Sequence, residues 1–313
     1  MLRRLLILLL LVQAMLVLLL ADWLQRHWSL AWLAGIGLGL LTLLLLRVLV
    51  SLQNFYQSRR HASPVPPALR LTAATALRLF AGELRASLLY SCWSMLFPLG
   101  WQIQPAPQTG LPVLLLHGYL CNSGYWRPLS RALRRARISH AALDLEPLWC
   151  GIDDYVARVH TAVQRLCAET GSAQVIIVGH SMGGLVARAY LRRHGSAQVA
   201  QVVTLGSPHA GSTLAALAPG RNGAQMRIGS DWLRRLAAAD PQALSRFTSI
   251  YSVHDNMVAP QDSSRLAGAR NLAMGGVGHV ALAWSLPVIN AVLDEIATVR
   301  ARTGSAAGQV PPR

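Results

Sequence analysis

The sequence predicts a mainly parallel α/β sheet with helices on both faces, preceded by an N-terminal transmembrane helical hairpin. Three observations carry that reading. The 313 residues are 53% hydrophobic with a mean hydropathy of +0.36, high for a soluble protein of this length, so part of the chain belongs in lipid. Two long apolar runs follow one another at the N-terminus. From Leu111 onward, short apolar runs alternate with longer helical patterns, the rhythm of strands joined by helical crossovers.

The first run, Leu5 to Ala21, carries only Gln13 as a polar interruption, and the second spans Leu30 to about Leu46. At about 1.5 Å per residue each can cross a hydrocarbon layer of about 30 Å near the short limit. Trp23 and Trp28 fall in the connection, where an interfacial aromatic belt places them. A cleaved signal peptide is the competing reading, since a basic start precedes an apolar stretch, but Leu19 and Ala21 form a poor cleavage pair and a second run follows at once. Residues 1–50 are therefore expected to be a membrane anchor of two helices. Arg3, Arg4, Arg47, Arg59 and Arg60 outweigh the single Arg26 of the connection. The positive-inside rule then puts both ends, and the domain, on the cytoplasmic face of a bacterial inner membrane.

Residues 51–67, closing on His61-Ala62-Ser63-Pro64-Val65-Pro66-Pro67, read as a linker. Residues 68–302 are then one domain. Ala68 to about Leu89 has helix-forming composition, and Leu88 to Trp101 is apolar and aromatic, a core helix or a segment lying along the membrane surface. Strands are expected at Pro112 to Leu116, Ala141 to Leu145, Gln174 to Val178, Val199 to Leu205 and Phe247 to Val253. Helices are expected at Trp126 to Arg137, Asp153 to Thr170, Leu185 to His194 and about Leu286 to Arg300, before a disordered tail at 303–313. In such sheets ligands sit beyond the carboxyl ends of the strands.

The net charge of +16 comes entirely from Arg among the strong bases, because the chain has no Lys. No nucleic-acid-binding signature accompanies it, so an anionic membrane surface is the expected partner rather than RNA or DNA. Cys92, Cys121, Cys150 and Cys167 show no metal-ligand spacing. Cys121 and Cys150 fall beyond strand ends and can pair if the domain is exported; in the cytoplasm free thiols are expected.

Chemistry concentrates at Gly179-His180-Ser181-Met182-Gly183, directly after an apolar strand and before a helix. That is the context of a nucleophile elbow, in which small flanking residues let strand and helix approach while the serine stands clear. A serine hydroxyl needs a base, and that base a carboxylate, in the chain order Ser, acid, His. Beyond the helix the histidines are His209, His254 and His279. His279 lies in a glycine-rich loop before the last helix and is the candidate base. His209 reads as a pocket-wall or loop-ordering residue. Asp255, just past the strand at Phe247 to Val253, is the candidate acid; Asp262 reads as a helix N-cap. The oxyanion hole is expected from the backbone N–H groups of Met182 and Tyr119, with Gly118 permitting the turn and His117 ordering the loop.

The pieces "LLLHGY", "VGHSMGGLVAR", "TLGSPHAGS", "HDNMVAP" and "GVGHVAL", in this order, resemble the lipase and esterase branch of the α/β-hydrolases. The resemblance implies the α/β-hydrolase fold, Ser181 as nucleophile, Asp255 as acid, His279 as base, Tyr119 and Met182 as oxyanion donors, and no metal or organic cofactor. Ser207 stands where the related segment commonly has Thr, and "HGY" lacks the extended glycine run of one esterase subgroup. Residues 210–246, between two strands, are a lid over an acyl pocket or ordinary helical packing. The expected function is a membrane-anchored serine hydrolase acting on acyl ester or lipid substrates. A thioesterase or acyltransferase with the same triad, and a non-catalytic membrane scaffold, are the alternatives.

Overall fold

The computed structural model describes residues 1–101, 103, 110–238 and 244–307. Two long apolar helices, α1 (Leu2–Trp28) and α2 (Trp32–Arg60), open the chain, both long and apolar enough to cross a membrane. They pack as an antiparallel pair at a small-residue stripe. Gly35 faces the Ala21 backbone, where a side-chain carbon would come within 2.8 Å of Ala21 Cα, and Gly39 faces Val17. Close backbone approach of this kind is how helices associate where solvent supplies no hydrophobic drive.

Helix α2 runs on to Arg60, so 51–60, expected as linker, is helical. Nothing in Ser51 to Gln57 breaks a helix, and the Phe55 ring packs tilted against Phe80 of α3 (Ala73–Cys92), centroids 5.9 Å apart. Thr72 caps α3 through its side chain, which accepts from the Thr75 N–H. Beyond it the apolar stretch divides: Tyr90 and Met95 are buried in the core, with Tyr90 stacked 4.7 Å from Tyr125, while Trp93 and Phe97 face outward.

Among the described residues the sheet has six strands, all parallel: β1 (Val113–Leu116), β2 (His140–Leu143), β3 (Val175–His180), β4 (Val199–Leu205), β5 (Phe247–Ser252) and β6 (Arg270–Met274), in the order β2-β1-β3-β4-β5-β6. Strand β1 lies between its two neighbours in register, Val113 beside His140 of β2 and Ile176 of β3. The chain leaves β1 in one direction and returns on the other, so the crevice at the topological switch point opens between the ends of β1 and β3. Both central strands are buried throughout, which explains their unbroken apolar runs. Strand β6 was not expected: Arg270-Asn271-Leu272-Ala273-Met274 is a half-exposed edge strand without apolar alternation.

One core layer packs α5 (Val156–Thr170) and α6 (Met182–His194) on one face of the sheet, with Val159, Val163, Leu185 and Val186 fully buried. The other layer packs α3, α4 (Arg127–Arg135) and α9 (Leu286–Ala307) with Trp126, Leu129, Leu133 and Val292. Helix α9 extends to Ala307, so the first part of the expected tail is helical; Thr303 bonds back to the Val299 and Arg300 carbonyls. The remainder of that tail lies outside the described residues.

Between β4 and β5 the chain forms α7 (Gly220–Gln225) and α8 (Asp231–Ala237). Met226, Trp232, Leu233 and Leu236 turn into the core beside α6 rather than into an open pocket, and the Trp232 indole donates to Asp153 at 2.7 Å. Leu217 and Ile228 of the same segment are exposed. Residues 239–243 of the candidate lid lie outside the described residues.

Candidate active site

One residue, Ser181, joins β3 to α6. Its backbone sits at φ 52° and ψ −122°, a conformation that costs a non-glycine residue about 1–3 kcal/mol and persists only where the surroundings impose it. Those surroundings are visible. The Ser181 N–H bonds to Leu205 O of β4 at 2.9 Å, and its carbonyl accepts from Gly184 N at 3.1 Å. A side-chain carbon on Gly179 would come within 2.7 Å of the Gly183 backbone, and one on Gly183 would overlap the Leu116 carbonyl of β1. Strand, elbow and helix are thus closer than any larger residue permits.

The β1 loop closes on the same point. A side-chain carbon on Gly118 would lie 2.9 Å from Ser181 Cβ, which sets this loop against the serine. His117 is buried and bridges two segments: its Nε2 accepts from Leu145 N at 2.8 Å, so its Nδ1–H donates to Gly118 O at 2.9 Å. Burial pushes its pKa down, which keeps the ring neutral in this role. Tyr119 follows, its hydroxyl donating to Pro219 O at 2.7 Å. Met182 is the first residue of α6, so its N–H is one of those without a partner inside the helix.

Asp255 and His279 meet beyond the ends of β5 and β6. The imidazole Nδ1 lies 2.8 Å from Asp255 Oδ2, and both side chains are buried. The other carboxylate oxygen, Oδ1, accepts from the N–H groups of Met257 and Val258, which orients Asp255 toward the ring. Burial works to lower the His279 pKa, but the charge and hydrogen bond of Asp255, with the charge of Glu83, outweigh it and hold the imidazole above its usual range. Gly206, at the end of β4, forms the floor: a side-chain carbon there would stand 3.1 Å from Asp255 Oδ2 and 3.3 Å from His279 Nδ1.

His180, inside the elbow itself, links the two halves. Its Nε2–H donates to His279 O at 3.2 Å, its ring lies 4.7 Å from the His279 ring, and its other face stacks on Tyr125 at 4.2 Å. Asn256 holds the backbone from the far side, its Oδ1 accepting from His279 N at 2.9 Å. Neither was singled out from the sequence, although each adjoins a candidate catalytic residue. The other histidines lie elsewhere in the network. His209 is buried against Thr204 at 3.1 Å, and His254 accepts from Gly276 N at 3.0 Å. Asp262 is exposed in the short 3-10 turn Gln261–Ser264, whose N-cap is Pro260, so it does not serve as the cap.

Among the described residues, Leu120, Trp149, Leu217 and Met257 stand exposed in segments that follow the carboxyl ends of strands. Cys92, Cys121, Cys150 and Cys167 form no disulfide, and burial pushes the Cys121 thiol up to about 12.

Residues 112–244 match the family described as alpha/beta hydrolase fold. A triacylglycerol lipase of Pseudarthrobacter phenanthrenivorans is 27% identical over 177 residues, covering 52% of this chain and 50% of the relative. Another from Burkholderia plantarii is also 27% identical over 177 residues, covering 52% and 45%. The chain spans about half the length of the curated relatives it matches. The mature lipase BlEst2 of Bacillus licheniformis superposes with a TM-score of 0.54 at 20% identity, over 62% of this chain and 96% of that one. Its propeptide form gives 0.53 at 21% identity, over 63% and 54%. What the two structures share with this chain is the fold.

Proposed function

We propose that this chain, an α/β-hydrolase by fold, is a membrane-anchored serine hydrolase that cleaves carboxylic esters of acyl or lipid substrates. One observation carries the reading: a buried imidazole–carboxylate pair, His279 and Asp255 at 2.8 Å, is tied by the 3.2 Å hydrogen bond from His180 to His279 O to the elbow whose next residue, Ser181, is held at positive φ on a strand-to-helix turn. A structural turn has no need of that strain, and a scaffold has no need of the pair.

In the proposed reaction His279 Nε2 takes the Ser181 hydroxyl proton as Oγ attacks the ester carbonyl. Asp255 holds Nδ1–H and stabilises the imidazolium. The Tyr119 and Met182 N–H groups receive the oxyanion, each worth about 3–4 kcal/mol in comparable sites. Collapse breaks the ester C–O bond, the alcohol leaves with the proton from His279, and an acyl-serine remains. Water, deprotonated by the same imidazole, then releases the carboxylic acid and restores Ser181.

The exposed Leu120, Trp149, Leu217 and Met257 support an apolar acyl group, and α1 and α2 support delivery from a bilayer. The excess of Arg at the outer ends of the hairpin supports a cytoplasmic domain. The expected result with a fluorophosphonate probe is labelling of the full chain and none of Ser181→Ala. A folded wild type that stays unlabelled sinks the proposal. Turnover across p-nitrophenyl esters of increasing length then reads the acyl preference.

A further inference from the structure

Glu83 is a buried carboxylate, 2% exposed, in the middle of α3, outside the strands and crossovers that build the hydrolase sheet. Its Oε1 accepts from Val280 N at 3.0 Å and its Oε2 from Ala281 N at 2.9 Å. These are the first two amides of the 3-10 helix Val280–Trp284, whose N-cap residue is His279. An acidic side chain from a distant helix thus satisfies the turn on which the imidazole is mounted. The preceding residue, Gly278, has no side chain because Glu83 fills that space. His279 is therefore held by Asn256 from one side and through Glu83 from the other.

The acid has a parallel support. Ser58, in the last turn of α2 and 3% exposed, donates to Asp255 O at 2.6 Å. Gln261 Nε2 donates to the same carbonyl at 2.8 Å and to Ser58 Oγ at 2.9 Å. Its Oε1 accepts from Ser63 N at 2.9 Å. The two supporting helices touch one another through Phe55 and Phe80, and Arg47 of α2 donates to Ser91 of α3 at 2.8 Å.

We propose that Glu83 and Ser58 are positioning residues for His279 and Asp255, so that the membrane-anchoring helix α2 and the helix α3 packed against it also complete the catalytic centre. The inference rests on the triad reading above. Neither residue touches a substrate; each acts through the loop of a triad member. Burial pushes the Glu83 carboxyl up from its ordinary value against the pull of its two amide donors and of His279; ionised, it places a second negative charge near the imidazolium. The titratable and charged groups around this pocket are Asp255 and His180 facing His279, and Tyr90 and Tyr125 near the Glu83 carboxyl. Arg78 and Arg85 line the outer groove along α3, and His254 binds the same loop at Gly276.

The test uses the full chain in detergent micelles with p-nitrophenyl butyrate and a fluorophosphonate probe. Glu83→Gln is expected to lower kcat by about 10²-fold with KM little changed, since displacement of a reacting group by about 1 Å costs that much. It also moves the acid limb of kcat/KM to lower pH, because the imidazolium loses a neighbouring negative charge. A purely structural Glu83 lowers stability or activity without moving that limb. Ser58→Ala, which removes one of two donors to Asp255 O, is expected to lower kcat by about three- to tenfold with its thermal midpoint near wild type. It decides the matter should Glu83→Gln fail to fold. Wild type that labels while both variants keep its kcat and pH limb overturns this inference and leaves the hydrolase reading standing; wild type that does not label overturns that reading instead.

Discussion

His279 Nδ1 lies 2.8 Å from Asp255 Oδ2, and both side chains are buried. The pair favours the charged imidazole, so the folded pKa stands above the ordinary value. A general base works only when neutral, so kcat/KM rises with pH through that raised pKa and is lost as pH falls below it. Asp255→Asn removes the charge that raises the pKa and orders the tautomer. The expected outcome is a limb shifted to lower pH and a kcat lower by about 10⁴-fold, read from pH–rate profiles of both proteins.

The elbow tolerates no side chain at Gly183, where the added carbon overlaps Leu116 O and comes within 2.8 Å of His117 O. Both obstacles are backbone, and neither can turn aside. Gly183→Ala is expected to cost about 3 kcal/mol of stability, the upper end for overpacking, as a lowered thermal midpoint.

Tyr119 is proposed to act through its backbone amide, so its ring is dispensable for the chemistry. Tyr119→Phe loses the hydrogen bond to Pro219 O, about 1 kcal/mol, and keeps kcat within about threefold of wild type. Gly118→Ala is the contrasting variant. Its new carbon lies 2.9 Å from Ser181 Cβ and from His180 Nδ1, and kcat is expected to fall about 10²-fold as the oxyanion loop shifts. Steady-state kinetics on the pair distinguish the amide from the side chain.

The hairpin makes a topological prediction. With Arg3, Arg4, Arg47, Arg59 and Arg60 on one side, a green fluorescent protein fused after Ala307 is expected to fluoresce, and an alkaline phosphatase fused there to be inactive. Active phosphatase at that position places the domain on the opposite face.

Much of the fold was legible because a parallel sheet is covered on both faces. Val175 to Val178 and Val113 to Leu116 had to be apolar at every position, and the tight elbow had to recruit Gly179 and Gly183. Ser181, Asp255 and His279 stood out for the same local reason: each sits in a turn just past a strand or before a helix. Strand β6 escaped because an edge strand owes its place to its neighbour β5 rather than to its own pattern. The Leu, Met and Trp side chains of 210–246 pointed to an acyl pocket or to ordinary helical packing, and Met226, Trp232, Leu233 and Leu236 pack beside α6, since hydrophobicity records burial without saying against what.

Local chain chemistry thus sufficed for five of the six strands and the elbow, and for picking out the three residues proposed for catalysis, because each lies in a short segment with its own pattern. The partners of those residues lie far away along the chain. Glu83 reaches Val280 and Ala281 across nearly two hundred positions, and Ser58 reaches Asp255 across a similar span. A lone glutamate in an amphipathic helix, or a serine near a helix end, carries no mark of such a role. Its meaning comes from burial and from the unpaired amides or carbonyl it meets, and those exist only once the helices have docked on the sheet.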